Sequence, residues 1–153
     1  MLLIRDDNIV IEDMKEDDLF DVMEIEKEAF SDPWTFEMFH SELLNSLSHL
    51  WVVKEISGKL IGYICFWRVV DETHILNIAV QKHYRRKGIA RNILVFAIDY
   101  WKIDGVKTVL LEVRQSNMAA QELYGKFGFN IIVNRTKYYK KPVEDALVMA
   151  LEL

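Results

Sequence analysis

The chain has 153 residues, 51% of them apolar and 28% charged, and a formal net charge of −5. That length and apolar content suit one folded domain with its own core and exclude a disordered chain. The acidic balance excludes a general nucleic-acid binder, which needs a broad basic surface, and suits a basic protein or peptide as partner.

The N-terminal MLLIRDDN has only a short apolar run before charges appear, so neither a secretory signal nor a membrane anchor is expected. Residues 8–14 (NIVIEDM) alternate weakly and predict a first strand. Over residues 15–30, acidic residues open a segment in which Leu19, Val22, Met23, Ile25, Ala29 and Phe30 have helical spacing. SDPW (31–34) ends it, because the residue before a proline avoids the helical region. Thr35 can then cap a second helix over FEMFHSELLN. LWVVKEI (50–56), Ser57-Gly58 and KLIGYICFWRVV (59–70) read as a β-hairpin, and THILNIAV (73–80) as the next strand. Three strands joined by short turns imply an antiparallel meander.

After Gly88 a helix is predicted over 89–104. Ile89, Ile93, Leu94, Ala97, Ile98 and Trp101 form its apolar stripe, and Gly105 is its stop. VKTVLLEV (106–113) reads as a strand and residues 117–127 as a helix capped by Asn117. FNIIVNRT (129–136) and DALVMALEL (145–153) are the last strands. The predicted order is β-α-α-β-β-β-α-β-α-β-β, a mixed α/β class.

The single cysteine, Cys65, leaves no intramolecular disulfide and fits a reducing cytoplasm. Its strand setting suits a buried small hydrophobe better than a nucleophile. His40, His49, His74 and His83 lack metal-ligand spacing, so no metal is expected.

The junction of strand 73–80 with helix 89–104 carries the sharpest local signal. A helix that starts just after a strand points unpaired N–H groups and a partial positive charge at the preceding loop. Arg85, Arg86 and Lys87 add full charges there, and Gly88 lets backbone approach a ligand. Together they suit a pyrophosphate-type anion. The GK[ST] ending of a P-loop and the three glycines of a dinucleotide fingerprint are both missing. On the loop alone, a solvated charge cluster is the commoner reading.

Two further matches decide between these readings. Arg85-x-x-Gly88-x-Ala90, between strand and helix, is similar to the acetyl-CoA motif of the GNAT N-acetyltransferases. LEVRQSNMAAQELYGKFGF (111–129), Tyr138-Tyr139, EDALVMAL (144–151) and SDPW (31–34) resemble segments of one subfamily. It comprises the RimI-type bacterial ribosomal-protein N-terminal alanine acetyltransferases. The motifs fall in the same order over nearly the whole chain.

The resemblance implies a GNAT fold over 1–153 as a single domain, with a mixed, mostly antiparallel sheet flanked by about four helices. It implies acetyl transfer from acetyl-CoA to a protein N-terminus, the alanine of a small-subunit ribosomal protein, directly in a ternary complex in the cytoplasm. It places the pyrophosphate on Arg86, Lys87, Gly88, Ile89, Ala90 and Arg91, and the pantetheine arm along the backbone of Ile78, Ala79 and Val80. Asn117 matches a cofactor contact, Glu112 the proton acceptor and Tyr124 the proton donor. Trp34, Tyr138 and Tyr139 match the peptide groove. Many relatives carry glycine where Ala90 stands, although alanine is a common alternative. The oligomeric state is left between a monomer and a weak dimer.

The residue types suit this chemistry. An α-amino group, with a pKa of about 7.7–8.0 against about 10.4 for lysine, needs only a modest base. Strand 73–80 offers no carboxylate and only His74 as a titratable group, while the next strand offers Glu112. A carboxylate inside an apolar strand needs a partner or a task, and partial burial makes it a better base. An ion pair with Arg114 is the rival reading for Glu112. Tyr124 lies seven residues after Asn117, on the same helix face, and could equally be a core aromatic. Rival functions are acetylation of a small amine, a polyamine or an internal lysine, and acetyl-CoA binding without turnover.

Overall fold

The computed structural model describes residues 2–5 and 9–153, so Asn8 of the first predicted strand lies outside the described residues. Twelve main elements succeed one another in chain order: β1 (Leu2–Arg5), β2 (Ile9–Asp13), α1 (Leu19–Ala29), α2 (Phe36–Leu44), β3 (Ser48–Glu55), β4 (Leu60–Val69), β5 (Glu72–Val80), α3 (Ile89–Ile103), β6 (Thr108–Arg114), α4 (Met118–Lys126), β7 (Asn130–Lys140) and β8 (Val143–Glu152). The strands form one sheet in the order β1-β2-β3-β4-β5-β6-β8-β7. Only β5 and β6 run parallel; the other neighbours are antiparallel. A parallel pair needs a crossover, and α3 supplies it.

The predicted order needs one correction at its start. Residues 2–5 form an additional strand, pairing antiparallel with β2. Four residues are too few for an alternation to register, and only the edge offered by β2 makes them a strand. The first helix also begins later than its acidic lead-in suggests. Residues Glu16–Asp18 make a single 3-10 turn, with Asp18 accepting the Lys15 N–H at 2.9 Å. At the other end of the chain β7 continues past residue 136 to Lys140, and this puts Tyr138 and Tyr139 in a strand.

Helices cover both faces of the sheet. On one face α3 and α4 lay Ile93, Leu94, Ala97, Trp101 and Tyr124 over Trp51, Ile64, Phe66 and Leu111. On the other, α1 and α2 lay Leu19, Val22, Ile25 and Phe39 over Val52, Tyr63 and Cys65. The central strand β4 is therefore buried on both sides from Leu60 to Phe66, which explains its almost unbroken apolar run. Local signals agree with the packing: the Thr35 hydroxyl accepts the Met38 N–H at 3.2 Å and so starts α2. Cys65 is buried and unpaired, and burial pushes its thiol up, away from nucleophilic use.

Trp51 anchors the larger core. Its ring lies 4.9 Å from Phe66, 5.4 Å from Phe96 and 5.0 Å from Tyr100. Trp51→Ala should cost about 3–5 kcal/mol in urea unfolding, because it removes transfer energy and leaves a cavity. A loss below about 1 kcal/mol would show that the aromatic cluster is not what holds β3 against α3.

Candidate active site

The site begins with a pairing that stops. β5 and β6 are hydrogen-bonded only from Glu72↔Thr108 to Ile75↔Leu111. Immediately beyond, β5 carries one residue more than β4, since Cys65 faces Asn77 and Phe66 faces Ile75. The extra residue, Leu76, is a β-bulge, which bends its strand and re-aims the residues beyond it. From there β5 stays with β4 as far as Gly62↔Val80, while Glu112–Arg114 of β6 stay with β8. The sheet opens as a wedge between two strands that were neighbours.

Backbone groups of β5 face this opening. Gln81 N–H donates to the Ile61 carbonyl at 2.8 Å, so by alternation Ala79 turns its polar groups to β4, and Ile78 and Val80 turn theirs to the gap. Of the three residues expected along a pantetheine arm, Ile78 and Val80 thus turn their polar groups to the gap and Ala79 does not. Arg85 confirms the direction of Val80, since its Nε donates to that carbonyl at 3.1 Å.

A cavity of about 420 Å³ fills the wedge, and its walls include Trp34, Ile78, Glu112, Asn117, Tyr124 and Tyr139. Six of the residues singled out in the sequence thus meet, from four separate elements and a loop. Glu112 Oε2 lies 2.6 Å from His74 Nε2. Arg114, its rival partner, binds Glu144 instead at 3.2 Å. Tyr124 is buried, its ring 5.5 Å from that of Phe129, and burial first and Tyr139 second push its hydroxyl well above the ordinary phenol range. It therefore keeps its proton and is available as a hydrogen-bond donor. Tyr139 is pushed up to about 12 by burial and by Tyr138 and Glu112. Its ring lies under the Arg114 guanidinium at 4.2 Å. Asn117 caps α4, accepting the Ala120 N–H at 3.1 Å, and lines the cavity as well. Tyr138 does not line it; it is exposed, at right angles to Tyr139, with Arg135 over its ring.

One wall residue was missed in the sequence. Glu26 of α1 is only 1% exposed and accepts from the Tyr63 hydroxyl, the Asn77 amide and the Trp34 N–H. Burial raises its carboxyl above the usual carboxylate range, against the lowering effect of these donors. It ties α1, the bulged part of β5 and the 31–34 loop together. The signal was present: Glu26 stands seven residues after Leu19 and four after Val22, a charge on an apolar stripe. The same loop is fastened on its far side, where the Ser31 hydroxyl donates to the Lys141 carbonyl at 2.9 Å. Arg114 donates to the carbonyls of Lys141 and Pro142, so the β7–β8 turn is held as well.

The basic loop lies at the other end of β5 and does not line this cavity. Arg86 is left-handed at φ 61° and Gly88 at φ 78°, where Gly88 caps α3. The first helical bond runs from Asn92 N–H to the Gly88 carbonyl, so the N–H groups of Ile89, Ala90 and Arg91 point out of the helix end. Space in front of Gly88 is open, with no atom within 4 Å of where a Cβ would stand. Arg86, Lys87 and Arg91 are exposed. Lys87 lies 5.4 Å from the Tyr84 ring centroid. Arg85 is committed elsewhere, to Val80 and at 3.8 Å to Glu28. An exposed helix end, an unobstructed glycine and three exposed cations fit a diphosphate, and the free edge of β5 leads from them to the cavity.

Comparison with known proteins shows the family. Residues 19–129 match the acetyltransferase (GNAT) family. The chain is 37% identical, over 91% of its length and 92% of the relative's, to a Bacillus subtilis (strain 168) protein provisionally assigned as a ribosomal protein bS18-alanine N-acetyltransferase. It is 35% identical to the Escherichia coli (strain K12) enzyme of that name, over 94% of this chain and 97% of the relative. The crystal structure of the Escherichia coli ribosomal-protein-S18-alanine N-acetyltransferase superposes with a TM-score of 0.87, covering 94% of this chain and 93% of that one. Members of the family use acetyl-CoA. This chain belongs to the GNAT acetyltransferase family.

Proposed function

We propose that the chain transfers acetyl from acetyl-CoA to the N-terminal alanine of a small-subunit ribosomal protein, bS18 being the one named in its relatives. The observation that carries the reading is the wedge cavity, with a carboxylate on one wall, a protonated phenol on another and free β5 backbone between them. The acceptor enters over the 31–34 loop and Tyr139.

The chemistry follows from these positions. Glu112 takes a proton from the substrate ammonium through water, which leaves a nucleophilic amine. The amine nitrogen bonds to the thioester carbon as the C–S bond breaks. The N–H of Ile78 or Val80 is directed to the thioester oxygen as it gains charge. Tyr124 gives its proton to the departing sulfur, and the second amine proton leaves through solvent. Asn117 holds the start of α4, and so Tyr124, in register with β5. Arg86, Lys87 and Arg91, with the N–H groups of Ile89 and Ala90, hold the diphosphate. The cavity's carboxylates, Glu26, Asp32 and Glu112, suit a cationic acceptor of either kind, peptide or polyamine. The pocket between two fastened loops favours the chain end.

The direct test incubates the protein with acetyl-CoA and an Ala-initiated basic peptide, with spermidine and a peptide blocked at its N-terminus as parallel acceptors. Acetylated Ala peptide with thiol release is the expected outcome. Product only with spermidine would reassign the acceptor, and thiol release with no product anywhere would leave hydrolysis. Glu112→Gln should lower kcat at neutral pH by about 10²–10⁴-fold. A wild-type pH–rate profile in that variant would remove Glu112 from the mechanism. Tyr124→Phe should slow single-turnover acetyl transfer at least about tenfold with acetyl-CoA affinity retained. The reverse pattern would make Tyr124 a binding residue. Lys87→Ala with Arg91→Ala should raise the Kd for acetyl-CoA about tenfold and flatten its salt dependence, with little change in kcat. An unchanged Kd would return the loop to a solvated charge cluster.

A further inference from the structure

We infer that His74 is a positioning residue for Glu112: its imidazole holds the carboxylate in the orientation from which it takes the substrate proton. This rests on Glu112 as proton acceptor. His74 has no part in the motifs that place the other site residues.

The geometry is specific. His74 is the last β5 side chain on its face before the sheet opens, since pairing with β6 ends one residue later at Ile75↔Leu111. It faces Leu110 in register, so Glu112, two residues on, is its diagonal neighbour on the same face. Nε2 meets Glu112 Oε2 at 2.6 Å, with the imidazole one-third exposed and Glu112 14% exposed. The ring is braced from β4, because Trp67 meets it edge-on at 6.2 Å between centroids. Trp67 is held in turn by its Nε1, which donates to Glu42 at 2.9 Å.

A carboxylate only accepts, so the proton in this contact sits on Nε2. That bond fixes Oε2 and with it the rotation of the carboxyl, and so the direction in which its remaining lone pairs meet the proton that leaves the ammonium. The transfer leaves a carboxylic acid on Glu112, a neutral imidazole and a neutral amine. Glu112 shares the cavity wall with Tyr139, Tyr124, Glu26 and Asp32, and Glu42 lies beyond Trp67. Arg114 is bound to Glu144 and Tyr139 rather than to the pair.

The test compares wild type, Glu112→Gln, His74→Ala and His74→Gln in the full chain, by kcat and KM against pH and by thermal unfolding. His74→Ala should lower kcat about tenfold with KM for acetyl-CoA and Tm unchanged, since a displaced base is costly without any loss of binding. His74→Gln can donate one N–H to the same oxygen, so it should restore most of kcat at neutral pH. Wild-type kcat in both His74 variants, with Glu112→Gln inactive, would overturn the proposal and leave Glu112 as the base. Loss of Tm in His74→Ala without rescue by glutamine would overturn it in favour of a structural pair. Full activity in Glu112→Gln would overturn the base assignment, and this inference with it.

Discussion

The molecule depends on an incomplete strand pairing. β5 and β6 run together for four residue pairs and then part at the Leu76 bulge. A continuous ladder would satisfy every backbone group and leave no room at the sheet centre. The break leaves an edge of β5 open where both faces of the sheet are otherwise covered. Buried edges are costly unless something pairs with them, so the opening offers an extended ligand a strand to pair with. The groups proposed for catalysis are placed by the same break. Glu112 lies just past the last pair on β6, and Tyr124 hangs over the gap from α4.

Charge is distributed along that edge with a clear division. The cavity end carries Glu26, Asp32 and Glu112, and the loop end carries Arg86, Lys87 and Arg91 with the helix terminus. In the proposed reaction an amine acceptor and a diphosphate donor would be drawn to opposite ends of one strand. Arg85 is the cation of the run that does not take part. It holds the loop to β5 and α1, so a basic triplet in sequence becomes one structural and two available charges.

Glu26 shows how the acceptor side is made rigid. A buried carboxylate is destabilising by itself and tolerable only when hydrogen-bonded. Its three donors come from the loop, from β4 and from β5, so satisfying it assembles the wall. The Ser31–Lys141 and Arg114 contacts close the other side, where the β7–β8 turn meets the same loop. The mouth of the cavity is therefore fixed by polar contacts between segments far apart in the chain.

The helices, the meander and the mixed class were legible in sequence because each rests on local spacing: apolar stripes at 3.6, caps at Thr35 and Asn117, a glycine stop at Gly105. The basic loop before α3 was legible for the same reason, since its charges, glycine and helix start are contiguous. What tertiary structure alone decided depends on which residues meet across the sheet. β1 needed β2 as a template. Glu112 took His74 and not Arg114 as its partner, because strand register sets diagonal neighbours and sequence distance does not. Tyr138 and Tyr139, adjacent in sequence, were separated by the pleat of β7 and its irregular register, one to the cavity wall and one beside it. The wedge itself has no local signature, because it is the absence of pairing between two ordinary strands, and that is settled only by what packs on either side.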